Sequence, residues 1–138
     1  YIAVGHDTDG TVTPGDLGMD WIVSKKKDFL GRRSLARADS ARADRRHFVG
    51  LLPEVRVPEG AQIVAEHRRR PPMKMIGHVT SCYDSATLGR PIALAMIDAG
   101  RERMGETVTI PLTMQGRVVR AKIVSPVFYD PEGERLNV

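Results

Sequence analysis

Cysteine is almost missing from this 138-residue chain: Cys82 stands alone, so no internal disulfide can form. That usage fits a reducing compartment, and a cytoplasmic location is the expectation. Aromatic residues are also scarce, at 5%, with a single tryptophan, Trp21. A surface that stacks bases interleaves aromatics with cations. No aromatic lies within or beside Arg68–Arg70, which counts against the reading from another class, a small basic β-barrel that binds nucleic acid. No segment approaches the roughly 18 to 20 uninterrupted apolar residues of a membrane helix, so no membrane partner is expected. The opening Tyr1-Ile-Ala-Val-Gly5 has no basic stretch, no long apolar run and no initiator methionine. A signal peptide is therefore not expected, and the chain reads as a piece of a longer polypeptide.

Several chemistries lack their residues. There is no Gly-x-Gly-x-x-Gly after a strand and no phosphate-loop signature, so NAD, FAD and ATP are not expected to bind by those means. His6, His47, His67, His78 and Cys82 have no zinc-ligand spacing, and no metal site is expected. The run Gly5-His-Asp-Thr-Asp-Gly10 is no calcium loop, because with Gly10 as the turn glycine the first ligand position falls on Gly5 and the twelfth on Asp16. Asp9-Gly10 reads as a turn. His78 and Cys82 do not form a base and nucleophile: four positions along a strand they would share a face, roughly 13 Å apart.

What is present is unevenly charged. Residues 1–24 hold four aspartates and no Lys or Arg, residues 25–74 hold fourteen bases against six acids, and residues 75–138 hold seven of each. The excess gathers at Lys25–Lys27, Arg32-Arg33, Arg45-Arg46 and Arg68–Arg70, a sign that favours anionic partners unless the clusters are ordinary solvated surface. Asp28 is a plausible N-cap for a helix of about ten residues, weakened by Gly31. Residues 38–46 carry almost no large apolar side chain and read as an exposed linker.

Past that linker the period becomes two. Residues 47–52, 62–66, 74–83, 92–98, 106–114 and 117–124 are short runs rich in Val, Ile and Thr between Gly, Pro or Asp. Val119, Ala121 and Ile123 alternate with Arg120 and Lys122, one face for a core and one for water. Gln115-Gly116 resembles a two-residue hairpin turn, and Pro111 should mark an edge or a bulge. The expected class is mainly β: an antiparallel barrel of about six strands, after a leader with a strand and one helix. Trp21 with Lys25, Lys26 and Lys27 is the best candidate for binding, a planar ring beside several ammonium groups. Residue types alone leave open that Trp21 is core and the lysines are merely solvated.

Order and spacing carry a resemblance. Thr13-Pro14-Gly-Asp-Leu17-Gly18-Met-Asp-Trp21, then Lys27-Asp28-Phe29-Leu30-Gly31-Arg32, resemble the end of the folate-binding region of the glycine-cleavage T-protein (aminomethyltransferase) family. Phe48-Val-Gly50-Leu51, Gly77-His-Val79-Thr80-Ser81 and Pro126-Val-Phe128-Tyr129 resemble landmarks of its C-terminal barrel. Within that family Val4-Gly5-His6-Asp7-Thr8-Asp9-Gly10 looks closest to the branch of sarcosine oxidase α subunits, with aminomethyltransferases and dimethylglycine dehydrogenases or oxidases as alternatives.

The resemblance implies residues 1–45 as the tail of a folate-binding domain and 46–138 as its C-terminal barrel. It implies a tetrahydrofolate site, partial here, near Trp21, Lys25, Lys26 and Lys27, with Lys27 the candidate for the folate carboxylate. It implies support for capturing the one-carbon unit of sarcosine demethylation as 5,10-methylenetetrahydrofolate. FAD, FMN and NAD would belong to the parent enzyme and not to this part. The family's catalytic aspartate would lie before Tyr1, leaving no catalytic residue here and an inactive isolated chain. Partners would be the N-terminal remainder of the same subunit, the other oxidase subunits and folate.

Overall fold

The computed structural model describes residues 2–68 and 72–137. Of the Arg68–Arg70 cluster, Arg69 and Arg70 lie outside the described residues. Six strands form a closed antiparallel barrel: β1 (Arg46–Pro53), β2 (Gln62–Val64), β3 (Met75–Ser85), β4 (Arg90–Asp98), β5 (Thr107–Leu112) and β6 (Arg117–Val124). Around the wall the order is β1-β4-β3-β2-β5-β6, and β6 returns to β1. Closure removes the free edges that would template aggregation. The join is thinnest at β2–β5, where Val64 and Thr109 form the one registered pair. Pro111, which has no N–H to donate, lies two residues beyond that pair, so its place is a thin seam instead of an open edge.

Alternation fills the lumen. Val49 and Leu51 from β1, Ala93, Ala95 and Ile97 from β4, Val108 and Ile110 from β5, and Val119, Ala121 and Ile123 from β6 are all buried in one cluster. Val57, from the segment between β1 and β2, joins them. That segment is tied to β3, whose Val79 accepts from Gly60 N–H at 2.8 Å and donates to the Ala61 carbonyl at 2.9 Å.

A bulge breaks the alternation of β3. Val79 is opposite Ala95 and Ser81 opposite Leu94, so Thr80 is the extra residue. Val79 and Cys82 both reach the core as a result. His78, opposite the outward Met96, stays on the outer side. The expectation that His78 and Cys82 share a face is therefore overturned, because the inserted residue shifts the parity between them. Cys82 is a core thiol whose burial pushes its pKa up, away from reactive thiolate.

Outside the wall a second apolar cluster forms on Phe48, Leu94 and Met96. Ile2, Val12 and Leu17 of the leader pack on it, as does Phe128 of the segment after β6. Gly50 makes that return possible: a Cβ there would run into the Ser125 carbonyl and come within 2.8 Å of the Phe128 ring.

The leader departs from its expectations. Its β content among the described residues is an isolated bridge between Val4 and Thr8. Residues Asp20–Ile22 form a turn of 3-10 helix. The helix α1 is one turn, Arg32–Leu35, and not about ten residues. Gly31 precedes it at φ 95°, and Asp28 accepts only from the Phe29 N–H at 3.1 Å, outside any cap. None of its residues is buried, so no packing offsets the cost of nucleating a longer helix. The β5–β6 connection is also longer than two residues: Thr113–Gln115 make a 3-10 turn, and Gly116 closes it at φ 61°.

Gly50→Ala is expected to lower stability by about 2 kcal/mol, the scale of overpacking a tight contact. Gly10→Ala, where a Cβ meets nothing within 4 Å, should stay within about 0.5 kcal/mol of the parent. Urea denaturation of the two variants checks the contrast.

Candidate functional site

A buried ion pair beside the start of β1 fastens the leader turn to the barrel. In the turn Thr13-Pro-Gly-Asp16, the Thr13 N–H donates to Asp16 Oδ2 at 2.8 Å and the Asp16 N–H donates to Thr13 Oγ1 at 3.2 Å. Arg45, just before β1, donates Nε to Asp16 Oδ1 at 2.9 Å and Nη2 to Oδ2 at 2.7 Å. Its Nη2 also donates to the Thr11 carbonyl at 2.6 Å and its Nη1 to Asp39 Oδ2 at 3.0 Å. The Asp16 carbonyl accepts from the Phe48 N–H at 2.8 Å, inside β1. Both side chains are largely out of water, Asp16 at 5% exposure and Arg45 at 13%. Burial pushes the Asp16 carboxyl up, but the Arg45 and Thr13 hydrogen bonds outweigh it and hold the group below its ordinary value. Arg45 is raised in turn by its hydrogen bond to Asp16.

Beside this pair a cavity of about 400 Å³ lies between the leader turn and the outer barrel face, lined in part by His6, Asp7, Asp9, Arg46, His78 and Met96. Its arginines are already engaged. Arg42 pairs with Asp39 and Asp44, Arg45 with Asp16, and Arg46 with Asp98 at 3.0 Å. Burial and then the Arg46 charge lower the His78 pKa against the pull of Asp7 and Asp9, so this imidazole is neutral near pH 7. Among the described residues no three His, Cys, Asp or Glu side chains gather as a metal-holding group.

The residues singled out from sequence lie elsewhere, Trp21 in the first 3-10 turn and Lys25, Lys26 and Lys27 on the loop that follows it. Trp21 is 81% exposed, which removes the reading of Trp21 as core. Lys25, Lys26 and Lys27 are exposed, and none takes part in an ion pair among the described residues. The Lys27 N–H donates to Ser24 Oγ at 3.0 Å. Arg32 donates Nη1 to the Lys27 carbonyl and Nη2 to the Lys25 carbonyl, each at 3.4 Å. The four residues thus share one short exposed stretch of chain, and none of them lines the 400 Å³ cavity. Asp16, Arg45 and Arg32 were not among the site residues read from sequence, where Arg32 and Arg45 stood only as members of basic clusters. The Thr-Pro-Gly-Asp turn hinted at Asp16, but nothing local announces a partner 29 positions away.

A closed six-strand barrel with a leader strapped to its outside defines a small antiparallel β-barrel domain, and comparison with known proteins gives the kind. Residues 46–130 match the glycine cleavage T-protein C-terminal barrel domain, and the chain belongs to that family. It is 48% identical to a sarcosine oxidase subunit alpha of Corynebacterium sp. (strain P-1) over 98% of this chain and 14% of that protein. The corresponding subunit of Rhizobium meliloti (strain 1021) is 37% identical over 99% of this chain and 15% of that protein. An aminomethyltransferase of Pseudothermotoga lettingae is 32% identical over 94% of this chain and 33% of that protein. The crystal structure of aminomethyltransferase T from Bartonella henselae superposes with a TM-score of 0.71 at 23% identity, covering 88% of this chain and 33% of that one, and shares the fold. The chain therefore spans about one seventh of the sarcosine oxidase relatives and one third of the aminomethyltransferases. No described helix is long and apolar enough to cross a membrane.

Asp16→Asn is expected to cost about 3 kcal/mol near neutral pH, since it strands a buried arginine. The folded-state pKa of Asp16 lies below its ordinary 3.8. Its contribution is thus complete above that value and is lost as pH falls through the folded pKa. The gap between parent and variant should be constant at pH 5–7 and narrow below about pH 4, as denaturant titrations at each pH would read.

Proposed function

We propose that this chain is the C-terminal part of the folate-binding region of a sarcosine oxidase α-type subunit. Residues 1–45 would be the tail of the folate-binding domain and residues 46–138 its closing barrel. The observation that carries the reading is the match to three sarcosine oxidase α subunits along 98–99% of the chain, leader included. Aminomethyltransferases remain the alternative, at lower identity over 91–94% of the chain.

The chemistry of the leader supports the same reading. An open indole face and three ammonium groups that meet no carboxylate among the described residues suit a ligand that is aromatic at one end and anionic at the other. Tetrahydrofolate, when bound, supplies the amine nitrogens that take up a one-carbon unit. In this chain Trp21 would pack against its flat part, and Lys25, Lys26 and Lys27 would hold the carboxylate end as point charges. Such contacts orient and retain the ligand; they move no proton. The acid–base group that the reaction needs, the flavin and nicotinamide sites of the parent enzyme, and the remaining walls of the folate cavity would belong to the N-terminal remainder of the subunit and to its partner subunits. The assembly would act in the cytoplasm.

Two outcomes follow. The isolated 138-residue chain should show no turnover and at most weak folate affinity, and strong saturable binding of tetrahydrofolate in calorimetry would contradict the proposal. In the intact polypeptide, replacing Lys25, Lys26 and Lys27 together with Gln should weaken tetrahydrofolate binding about tenfold and flatten its salt dependence. Unchanged affinity and salt response would remove the lysine loop from the site.

A further inference from the structure

We propose that Arg32 is the positioning residue of the lysine loop, holding Lys25–Lys27 in the shape that receives the carboxylate end of the ligand. The inference rests on the folate reading of that loop and adds to it the residue on which its geometry depends.

Three consecutive exposed lysines repel one another, and each carries long side-chain freedom that binding must restrict. An arginine placed beside them adds a like charge. Yet Arg32 turns its guanidinium back toward the loop, with Nη1 on the Lys27 carbonyl and Nη2 on the Lys25 carbonyl. The two carbonyls are two residues apart, so the planar fork spans the backbone of the triplet and closes it into an arc. A lysine at this position, with a single ammonium, could not hold both oxygens in that fixed geometry. The loop is tied from its other side by the Ser24 hydroxyl on the Lys27 N–H. Gly31, at φ 95°, aims the backbone so that Arg32 begins a helical turn facing the triplet.

Charge makes the arrangement informative. Arg42, Arg45 and Arg46 of the neighbouring segment each meet an aspartate, whereas Arg32 and the three lysines appear in no ion pair among the described residues. Asp28, one residue from the triplet, uses Oδ1 on the Phe29 N–H. Four positive groups are thus concentrated on eight residues against a single carboxylate, Asp28, with one of them spent on the backbone of the others. That is a pre-shaped receptor for carboxylates, and the guanidinium acts through the loop instead of on the ligand.

The test uses the intact polypeptide and two probes, tetrahydrofolate and a tetrahydropterin that lacks the glutamate tail. Arg32→Lys and Arg32→Gln should each weaken tetrahydrofolate binding about five- to tenfold and leave tetrahydropterin binding within about twofold. In the background with Lys25, Lys26 and Lys27 all replaced by Gln, neither change should add a further loss, because the residue acts only through those groups. Parent-like tetrahydrofolate affinity in Arg32→Lys would overturn the proposal, since charge alone would then suffice. So would an equal loss for both probes, or additive losses in the combined variant. If the lysine replacements are silent, the folate reading of the loop falls with it; if they weaken binding while Arg32→Lys is silent, the role of Arg32 alone is lost.

Discussion

The pairing of Asp16 with Arg45 is the constraint on which the leader's position depends. The first 45 residues have little apolar surface to bury, and only Ile2, Val12 and Leu17 reach the patch on the outer barrel wall. Such a small contact does not define an orientation, because apolar burial is not directional. The bidentate guanidinium–carboxylate contact does define one, and Asp16 reinforces it by accepting the Phe48 N–H through its backbone carbonyl. One residue thus holds β1 by its main chain and the segment before β1 by its side chain. Taking both charges out of water offsets much of their attraction, so the pair is better regarded as a device for registry than as a large source of stability.

The charge pattern acquires a different meaning once paired. The sequence places an excess of eight positive charges in residues 25–74, a number that invites a broad anionic surface. Folding offsets part of it, since Asp16 and Asp98 lie outside that segment and pair with Arg45 and Arg46. Asp39, Asp44, Asp16 and Asp98 take up Arg42, Arg45 and Arg46. Lys25, Lys26, Lys27 and Arg32 stay outside the ion pairs of the described residues, in the same stretch of chain as the exposed Trp21.

The barrel was legible from sequence because its signal is local. A strand with one wet and one dry face repeats every two residues, as in Val119, Ala121 and Ile123, and all six strands lie where that alternation placed them, to within a few residues. The leader was less legible because its conformation is set by contacts outside it. A favourable Asp28 and an apolar Phe29-Leu30 pair looked like a helix start, but Leu30 is wholly exposed and no surface receives the helix. Trp21 posed the same difficulty, since residue type cannot separate a buried indole from a presented one. The bulge at Thr80 left no composition cue, as Val-Thr-Ser-Cys reads equally well as uninterrupted strand. Asp16 and Arg45 meet across 29 positions, a span that no local pattern covers.

The extra residue in β3 also bears on how this fold tolerates insertion and deletion. Because Thr80 is supernumerary against β4, excising it would leave His78 and Ser81 on the outer side and Val79 and Cys82 in the lumen, with a straighter strand as the penalty. An excision within β4, which is in continuous register with β1 from Ala93 to Asp98, would instead exchange its inner and outer side chains from that point onward. Between β3 and β4 a one-residue change of length is thus absorbed at Thr80 and not within β4.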